Sequence, residues 1–312
     1  MPFTKKPHAF NAAVKEVTIG SGDKAVKLGG ENVFPFYSFD GDIKNRQAIG
    51  AEISDLGTEG ATEEIKAFYG TDDIVEMAKK AAAMDEVDFV CLRFEGADPA
   101  GANYSTEDCV NKAKAVYEAI DKPLAIMGCK NIEKDGEIFC KIAEELAGKN
   151  ILIISAREED YKAVGAAAGL AYGQKVSAES SVDINLAKQL NVLMTQLGVS
   201  ADNMVMNLGS AAAGYGFEYV ASTMDRVRAA ALAQNDQMLQ MPIVTPVAAE
   251  TWSVKESIAT EEDMPEWGSR DERGIDMEVV TASACLASGS NAVILKHPRS
   301  IKTIAALISA LN

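Results

Sequence analysis

The chain has 312 residues, of which 47% are hydrophobic and 24% charged, a composition typical of soluble globular proteins with a large core. Its formal net charge of −16 opposes contact with phosphate backbones and anionic membranes, so we expect neither nucleic-acid nor membrane partners. No apolar run approaches the ~18 residues of a membrane span, and the N-terminus lacks the apolar core of a signal peptide, so we expect a cytoplasmic protein.

The first predicted element is an N-terminal β-hairpin. Two short apolar segments, Val14–Gly20 and Ala25–Leu28, flank the turn-forming sequence Ser-Gly-Asp-Lys at positions 21–24. We expect residues 1–31 to close the floor of one domain formed by residues 32–312.

Eight short apolar segments then alternate with amphipathic helical ones. Several are apolar throughout, which is typical of strands buried on both faces of a parallel sheet. The predicted strands are Val33–Tyr37, Asp88–Arg93, Pro123–Gly128, Ile151–Ser155, Lys175–Ala178, Asn203–Leu208, Pro242–Val247 and Ala292–Lys296.

Helix signals separate these strands. Ser105 and Asp108 predict a capped start, the helix after Asp183 is predicted to end at Gly198, and a last helix begins near Ser300. Eight strand–helix units predict an α/β fold, a single-domain (β/α)8 TIM barrel. A doubly wound open sheet is the alternative, but it usually has fewer strands, and no Gly-x-Gly-x-x-Gly opens a first helix.

Two long loops, near residues 38–70 and 250–274, are predicted on the C-terminal face of the barrel, where barrel enzymes carry their sites. The second contains both tryptophans, Trp252 and Trp267. These side chains either form a binding surface or attach the loop to the barrel.

The cysteines and histidines give no metal motif. The five cysteines include no C-x-x-C pair, so we expect neither disulfides nor a zinc or iron–sulfur site, and the chain alone should hold no iron, zinc or cobalt. Neither His8 nor His297 lies in the Asp-x-His-x-x-Gly frame by which some cobalamin modules supply a cobalt ligand.

Several polar residues lie at predicted strand ends. They are Asp40, Arg93, Glu95, Lys130, Arg157, Glu179, Asn207, Glu250, Lys296 and His297. Lys296 could form a Schiff base as in an aldolase, and Glu95 with Glu250 could act as acid and base. The small-residue segment 209–216 lets a ligand approach the backbone closely.

Five stretches of the sequence together resemble one family. They are Asn32–Gly41, Gly214–Leu232, Glu250–Glu256, Trp267–Arg273 and Thr281–Pro298. The chain resembles the small (delta) subunit of corrinoid iron–sulfur proteins, whose archaeal counterpart belongs to acetyl-CoA decarbonylase/synthase. The resemblance covers nearly the whole chain and implies a TIM barrel without catalytic activity of its own.

The resemblance also implies partners and cofactors. A large subunit would form a heterodimer with this chain, carry the [4Fe–4S] cluster and hold a corrinoid (cobalamin) against the barrel. Methyl groups would pass from methyltetrahydrofolate, through a methyltransferase, to cobalt and then to acetyl-CoA synthase in the reductive acetyl-CoA pathway.

Six residues at or just past predicted strand ends are the expected contacts for the corrin amides. They are Ser155, Ser180, Asn207, Gly209, Thr245 and Glu250. Two other functions stay open: a barrel methyltransferase that binds methyltetrahydrofolate, for which Asn207 and Asp40 are candidates, and a Schiff-base lyase that uses Lys296.

Overall fold

The computed structural model describes residues 6–41 and 43–312. An antiparallel hairpin of β1 (Val17–Ile19) and β2 (Val26–Leu28) precedes the barrel. The side chains of Val17, Ile19 and Leu28 are fully buried among residues at the start of the barrel strands. The hairpin therefore closes the N-terminal floor, as predicted.

Eight parallel strands form the barrel. They are β3 (Ala48–Ser54), β4 (Phe89–Arg93), β5 (Leu124–Met127), β6 (Leu152–Ala156), β7 (Lys175–Glu179), β8 (Met204–Asn207), β9 (Val244–Thr245) and β10 (Ala292–Leu295). They pair in the order β8-β7-β6-β5-β4-β3-β10-β9. A parallel bridge between Met206 and Ile243 joins the two end strands, so the predicted TIM barrel is confirmed.

Helices cover the outside of the barrel and the loops at its C-terminal end. They are α1 (Glu63–Tyr69), α2 (Ile74–Ala82), α3 (Thr106–Ala119), α4 (Ile132–Glu145), α5 (Tyr161–Val164), α6 (Ile184–Leu197), α7 (Phe217–Ala233), α8 (Val247–Thr251), α9 (Lys255–Ile258), α10 (Arg270–Ala287) and α11 (Pro298–Leu311). The predicted caps are present: Ser105 and Asp108 form a capping box, and Gly198 ends α6 in the left-handed conformation. A π-helical turn, Gly165–Ala171, continues α5.

The first barrel strand differs from the prediction. Val33–Tyr37 is not a strand, since Pro35 lacks an amide donor, Phe36 has φ +60° and the Phe34 ring packs on Phe10. The first strand is Ala48–Ser54, whose alanines and glycine give a weak strand signal. The prediction of a long loop over residues 38–70 is therefore wrong, because this segment contains the strand Ala48–Ser54 and the helix α1.

The segment 250–274 also differs from the prediction. It folds into the end of α8, α9, a 3₁₀ turn at Pro265–Trp267 and the first turn of α10. The Trp252 ring stacks on His297 with centroids 5.9 Å apart, and it packs against Gly274. Trp252 thus attaches this segment to the barrel. In the described part of the chain, no helix combines the length and apolar character needed to cross a bilayer.

Candidate functional site at the barrel mouth

A cavity of about 150 Å³ opens at the carboxyl ends of the strands, in the part of the barrel between β5 and β9. We call this region the mouth. The residues that line it are Met127, Gly128, Lys130, Ile154, Arg157, Glu179, Ser181, Val182, Asn207, Gly209, Ser210, Pro246, Ala249 and Glu250. The cavity is smaller than the ~300–1,000 Å³ pockets that enclose drug-sized ligands, so it can receive only a small group.

A buried carboxylate shapes the turn after β5. Asp135, on α4, accepts hydrogen bonds from the backbone N–H groups of Cys129 (2.7 Å) and Lys130 (3.0 Å). A side chain at Gly128 would overlap this carboxylate, so glycine is required there. Burial raises the pKa of Asp135, which these hydrogen bonds and the charge of Arg157 oppose. The turn therefore projects Lys130 over the mouth.

Three strand ends are joined by one polar network. The Asn207 amide nitrogen donates to Ser155 Oγ (3.0 Å) and to Glu179 Oε2 (3.3 Å). Arg157 Nε lies 3.4 Å from Glu179 Oε1, and Asn207 Oδ1 accepts from the backbone N–H of Gly209 (3.0 Å). The network fixes the orientation of the Asn207 side chain at the mouth.

The basic side chains of the mouth are paired with carboxylates. Lys130 Nζ lies 2.7 Å from Glu250 Oε1, across the opening. Outside the mouth, at the end of β4, Arg93 lies 3.5 Å from the fully buried Glu52 and 3.2 Å from Glu95. Although burial raises the pKa of Glu95, the positive charges of Arg93 and Lys296 hold it below its usual value. The arrangement suits a neutral polar ligand better than a polyanion.

The backbone at the mouth is unusual after β7. Ser181 and Val182 have φ values of +42° and +65°, a conformation that β-branched residues rarely adopt. The Val182 N–H donates to Leu208 O (2.8 Å), and the adjacent Gly209 has φ +85°. Such backbone persists where its surroundings impose it, and it is concentrated at functional sites.

The structure brings three of the six predicted residues into the cavity wall: Asn207, Gly209 and Glu250. Ser155 lies behind them, bonded to Asn207. Ser180 is buried and does not line the cavity, although its backbone N–H donates to Asn207 O (3.0 Å).

The placement predicted for Thr245 is wrong. Side chains alternate across a strand, and Val244 faces the barrel interior while Ile243 faces the helices. Thr245 therefore points outward, where its hydroxyl lies 2.8 Å from Ser290 Oγ.

Other candidates take different positions. Asp40 is not at a strand end; it accepts from the His8 backbone N–H (3.1 Å) in the N-terminal segment. Lys296 is half-buried at the end of β10, close enough to Glu95 to lower its pKa. Glu52, which the sequence analysis missed, faces the barrel interior from β3, and recognition of the Ala48–Ser54 strand would have placed it there.

One group of three described residues could hold a metal: Glu64, Asp271 and His297, whose ligand atoms lie within 4.8 Å of one another. His297 Nδ1 accepts the Arg299 backbone N–H (3.1 Å), so the neutral ring carries its proton on Nε2. That nitrogen faces Asp271 (3.4 Å) and Glu64 (3.6 Å). Metal binding at Nε2 would displace this proton to Nδ1 and break the helix cap, so the geometry is that of a hydrogen-bonded histidine.

Sequence comparison gives one consistent group of relatives. The family model for the CO dehydrogenase/acetyl-CoA synthase delta subunit matches residues 16–286. The chain is 32% identical over 301 residues to acetyl-CoA decarbonylase/synthase complex subunit delta 2 of Methanosarcina acetivorans, covering 94% of this chain and 67% of that protein. It is 30% identical over 302 residues to the delta subunit of Archaeoglobus fulgidus, covering 94% of this chain and 66% of that one.

Solved structures with a similar fold are dihydropteroate synthases. The enzyme of Xanthomonas albilineans with 4-aminobenzoic acid has a TM-score of 0.58 at 10% identity, covering 95% of this chain and 98% of that one. The Yersinia pestis enzyme with a pterin–sulfa conjugate has a TM-score of 0.53 at 12% identity, covering 85% and 93%. At these identities the likeness concerns the barrel fold alone.

Proposed function

Because the chain belongs to the family of acetyl-CoA decarbonylase/synthase delta subunits, we propose that its barrel mouth covers a corrinoid carried by a larger partner subunit. The partner would also hold the [4Fe–4S] cluster, and the two subunits would form a heterodimeric methyl carrier in the cytoplasm. When bound, the cobalt of the corrinoid supplies the methyl-carrying chemistry, between a methyltetrahydrofolate-dependent methyltransferase and acetyl-CoA synthase. This chain's part is to bind and to exclude water.

The small, charge-paired cavity of the mouth is the observation that supports this proposal. A cavity of about 150 Å³ cannot enclose a corrin macrocycle, so the ring would lie across the opening with an amide arm entering the cavity. Amide arms donate and accept hydrogen bonds. The hydroxyls of Ser181 and Ser210 can return both, and Asn207 Oδ1, which accepts one N–H already, can accept a second. The residues present therefore fit the group as a cover and not as an enclosing pocket.

The Lys130–Glu250 pair gives the cover a means of release. It spans the opening between the turn after β5 and α8, and both side chains remain partly exposed. An exposed ion pair contributes only about 0–1 kcal/mol, so it can open without a large cost. This suits a carrier whose cobalt must be reached by two other proteins in turn.

The test uses the reconstituted heterodimer with its cobalt reduced. Asn207→Ala removes the amide that faces the cavity and should speed oxidation of the reduced cobalt by roughly two- to tenfold, the equivalent of one neutral hydrogen bond of about 0.5–1.5 kcal/mol. Asn185→Ala changes an exposed asparagine at the start of α6 and serves as the matched control. Stopped-flow absorbance measures both rates, and equal rates for Asn207→Ala and the parent would contradict the proposal.

The two alternative functions have separate tests. For a methyltetrahydrofolate-binding methyltransferase, Asp40 and Asn207 would have to converge, and the structure places Asp40 in the N-terminal segment. Titration of the isolated chain with methyltetrahydrofolate should therefore show no binding. For a Schiff-base lyase, borohydride reduction with a carbonyl substrate should trap an adduct at Lys296, and failure to trap one would exclude this function.

A further inference from the structure

A groove of about 940 Å³ runs along the outside of the barrel between α4 and α5. One wall is the face of α4 that carries Ile132, Gly136 and Cys140, which recur every four residues, and Ala163 of α5 belongs to the other wall. The Cys140 Sγ atom lies 3.6 Å from Ala163 O, where the two helices meet. Because Gly136 and Ala163 are small, the helices leave an apolar channel between them, which we call the α4–α5 groove.

The α4–α5 groove is rimmed by acidic side chains. The carboxylates that line it are those of Glu133, Glu137, Glu159 and Asp160. Lys130 also lines the groove, but its ammonium group pairs with Glu250 (2.7 Å) at the mouth. The lining therefore has an excess of negative charge, and a positively charged occupant is complementary to it.

Asp160 adds an unused hydrogen-bond acceptor to the groove. Its side chain is only 9% exposed, and Oδ1 accepts the backbone N–H of Arg157 (2.6 Å). Oδ2 is buried and has no hydrogen-bond partner among the described residues. A Cβ at Gly136 would lie 4.0 Å from this oxygen, so the absence of a side chain on the glycine leaves Oδ2 facing the groove. A buried acceptor without a donor is costly, and an ammonium group bound there would supply the donor.

The spacing of the carboxylates identifies the shape of the cation. A divalent metal ion needs several oxygen ligands that converge on one point, and the described carboxylates of the groove form no such group. Glu133 and Glu137 are instead four residues apart on α4, which places them about 6 Å apart along the helix axis. Neighbouring ammonium groups of a linear aliphatic polyamine are separated by three or four methylenes, which is a similar span. The methylenes themselves suit the apolar channel, as the stem of a lysine side chain does.

We propose that the α4–α5 groove binds a linear aliphatic polyamine, with one ammonium group on Asp160, the others on the glutamates of the rim, and the methylenes along the apolar face of α4. Exposed ion pairs contribute little to affinity, so the selectivity of the site comes from the buried Asp160 oxygen and from the fit of the methylene chain to the channel. The site is on the outside of the barrel, and the inference does not depend on the proposed function.

The experiment titrates the full chain with spermidine and measures the dissociation constant by calorimetry. Asp160→Asn, which keeps the acceptor for the Arg157 N–H, should weaken binding at least about tenfold, as the loss of a hydrogen bond between charged groups does. Gly136→Leu fills the groove with an apolar side chain, leaves the net charge at −16 and should weaken binding by a similar factor. Glu118→Gln removes one negative charge at an exposed site on α3 and should leave binding unchanged. Circular dichroism melting checks that each variant is folded.

The matched variants separate this site from general attraction of a cation to an acidic chain. A chain that gives no heat of binding at millimolar spermidine would overturn the inference, and so would equal affinities of the parent, Asp160→Asn and Gly136→Leu. A trilysine peptide, which has the same net charge as spermidine, should bind more weakly. Tighter binding of the peptide would assign the groove to a protein segment and overturn the inference as well. None of these results bears on the barrel mouth, whose proposed function is tested by cobalt oxidation.

Discussion

Glu278 makes the stability of this protein depend on pH in an unusual direction. The side chain is fully buried on α10, and its two oxygens accept the backbone N–H groups of Lys296 (2.6 Å) and His297 (3.2 Å). Burial raises its pKa from 4.5 to about 7, and these hydrogen bonds only partly offset that effect. Glu278 thus retains a proton in the folded chain that it has lost in the unfolded chain between these pH values.

The free energy of unfolding should fall as pH rises through this interval. The slope is about 1.4 kcal/mol per pH unit for one retained proton, or about 3 kcal/mol over the full shift. About 2 kcal/mol of this loss falls between roughly pH 5.5 and 8. That range lies above the chain's isoelectric point of about 4.7. The stabilising contribution of Glu278 is fully present below its pKa in the unfolded chain, 4.5, and is lost above its pKa in the folded chain, about 7.

Glu278→Gln removes the titration and tests this reasoning. Between roughly pH 5.5 and 8, the free energy of unfolding of the variant should rise by about 2 kcal/mol relative to that of the parent. Loss of the second acceptor oxygen lowers it by an amount that does not depend on pH. Urea unfolding followed by tryptophan fluorescence gives both curves, and the other titrating groups cancel because both proteins contain them. Glu266→Gln, at an exposed site, should show a constant difference. A constant difference for Glu278→Gln as well would refute the argument.

Two further variants test the packing of the barrel and its helices. Gly50→Ala should destabilise the chain by about 1–3 kcal/mol, because a Cβ there would overlap the buried Phe89 ring inside the barrel. Chemical denaturation should show no such loss for Gly101→Ala, where a Cβ would make only ordinary van der Waals contact with Asp98. Arg228→Met should cost about 1–3 kcal/mol, because Gly289 O and the Asn291 side chain would lose the fully buried guanidinium that donates to them (3.0 and 2.7 Å to Gly289 O). A loss equal to that of Arg226→Met, an exposed site on the same helix, would contradict this account.

Local patterns in the sequence determined most of the fold. Seven of the eight strands were predicted, several of them as apolar segments buried on both faces, and their alternation with capped helices predicts a parallel barrel without knowledge of any contact. The capping box at Ser105, the left-handed Gly198 and the floor hairpin depend on residues close in sequence, which explains why they were predictable. The strand Ala48–Ser54 was missed because small residues in its sequence carry little strand preference and gain stability from burial in the barrel.

The mouth was decided by tertiary structure. Lys130 and Glu250 are 120 residues apart, and Asn207 and Ser155 are 52 apart, so their pairing depends on how the strands are staggered around the barrel. The sequence placed polar residues at strand ends, but it could not give the face on which each side chain lies. Thr245 shows the consequence, because a position at the end of a strand two residues long still directs its hydroxyl toward the helices. Burial is likewise a property of the folded chain, and it alone makes Glu278 a group that titrates near neutral pH.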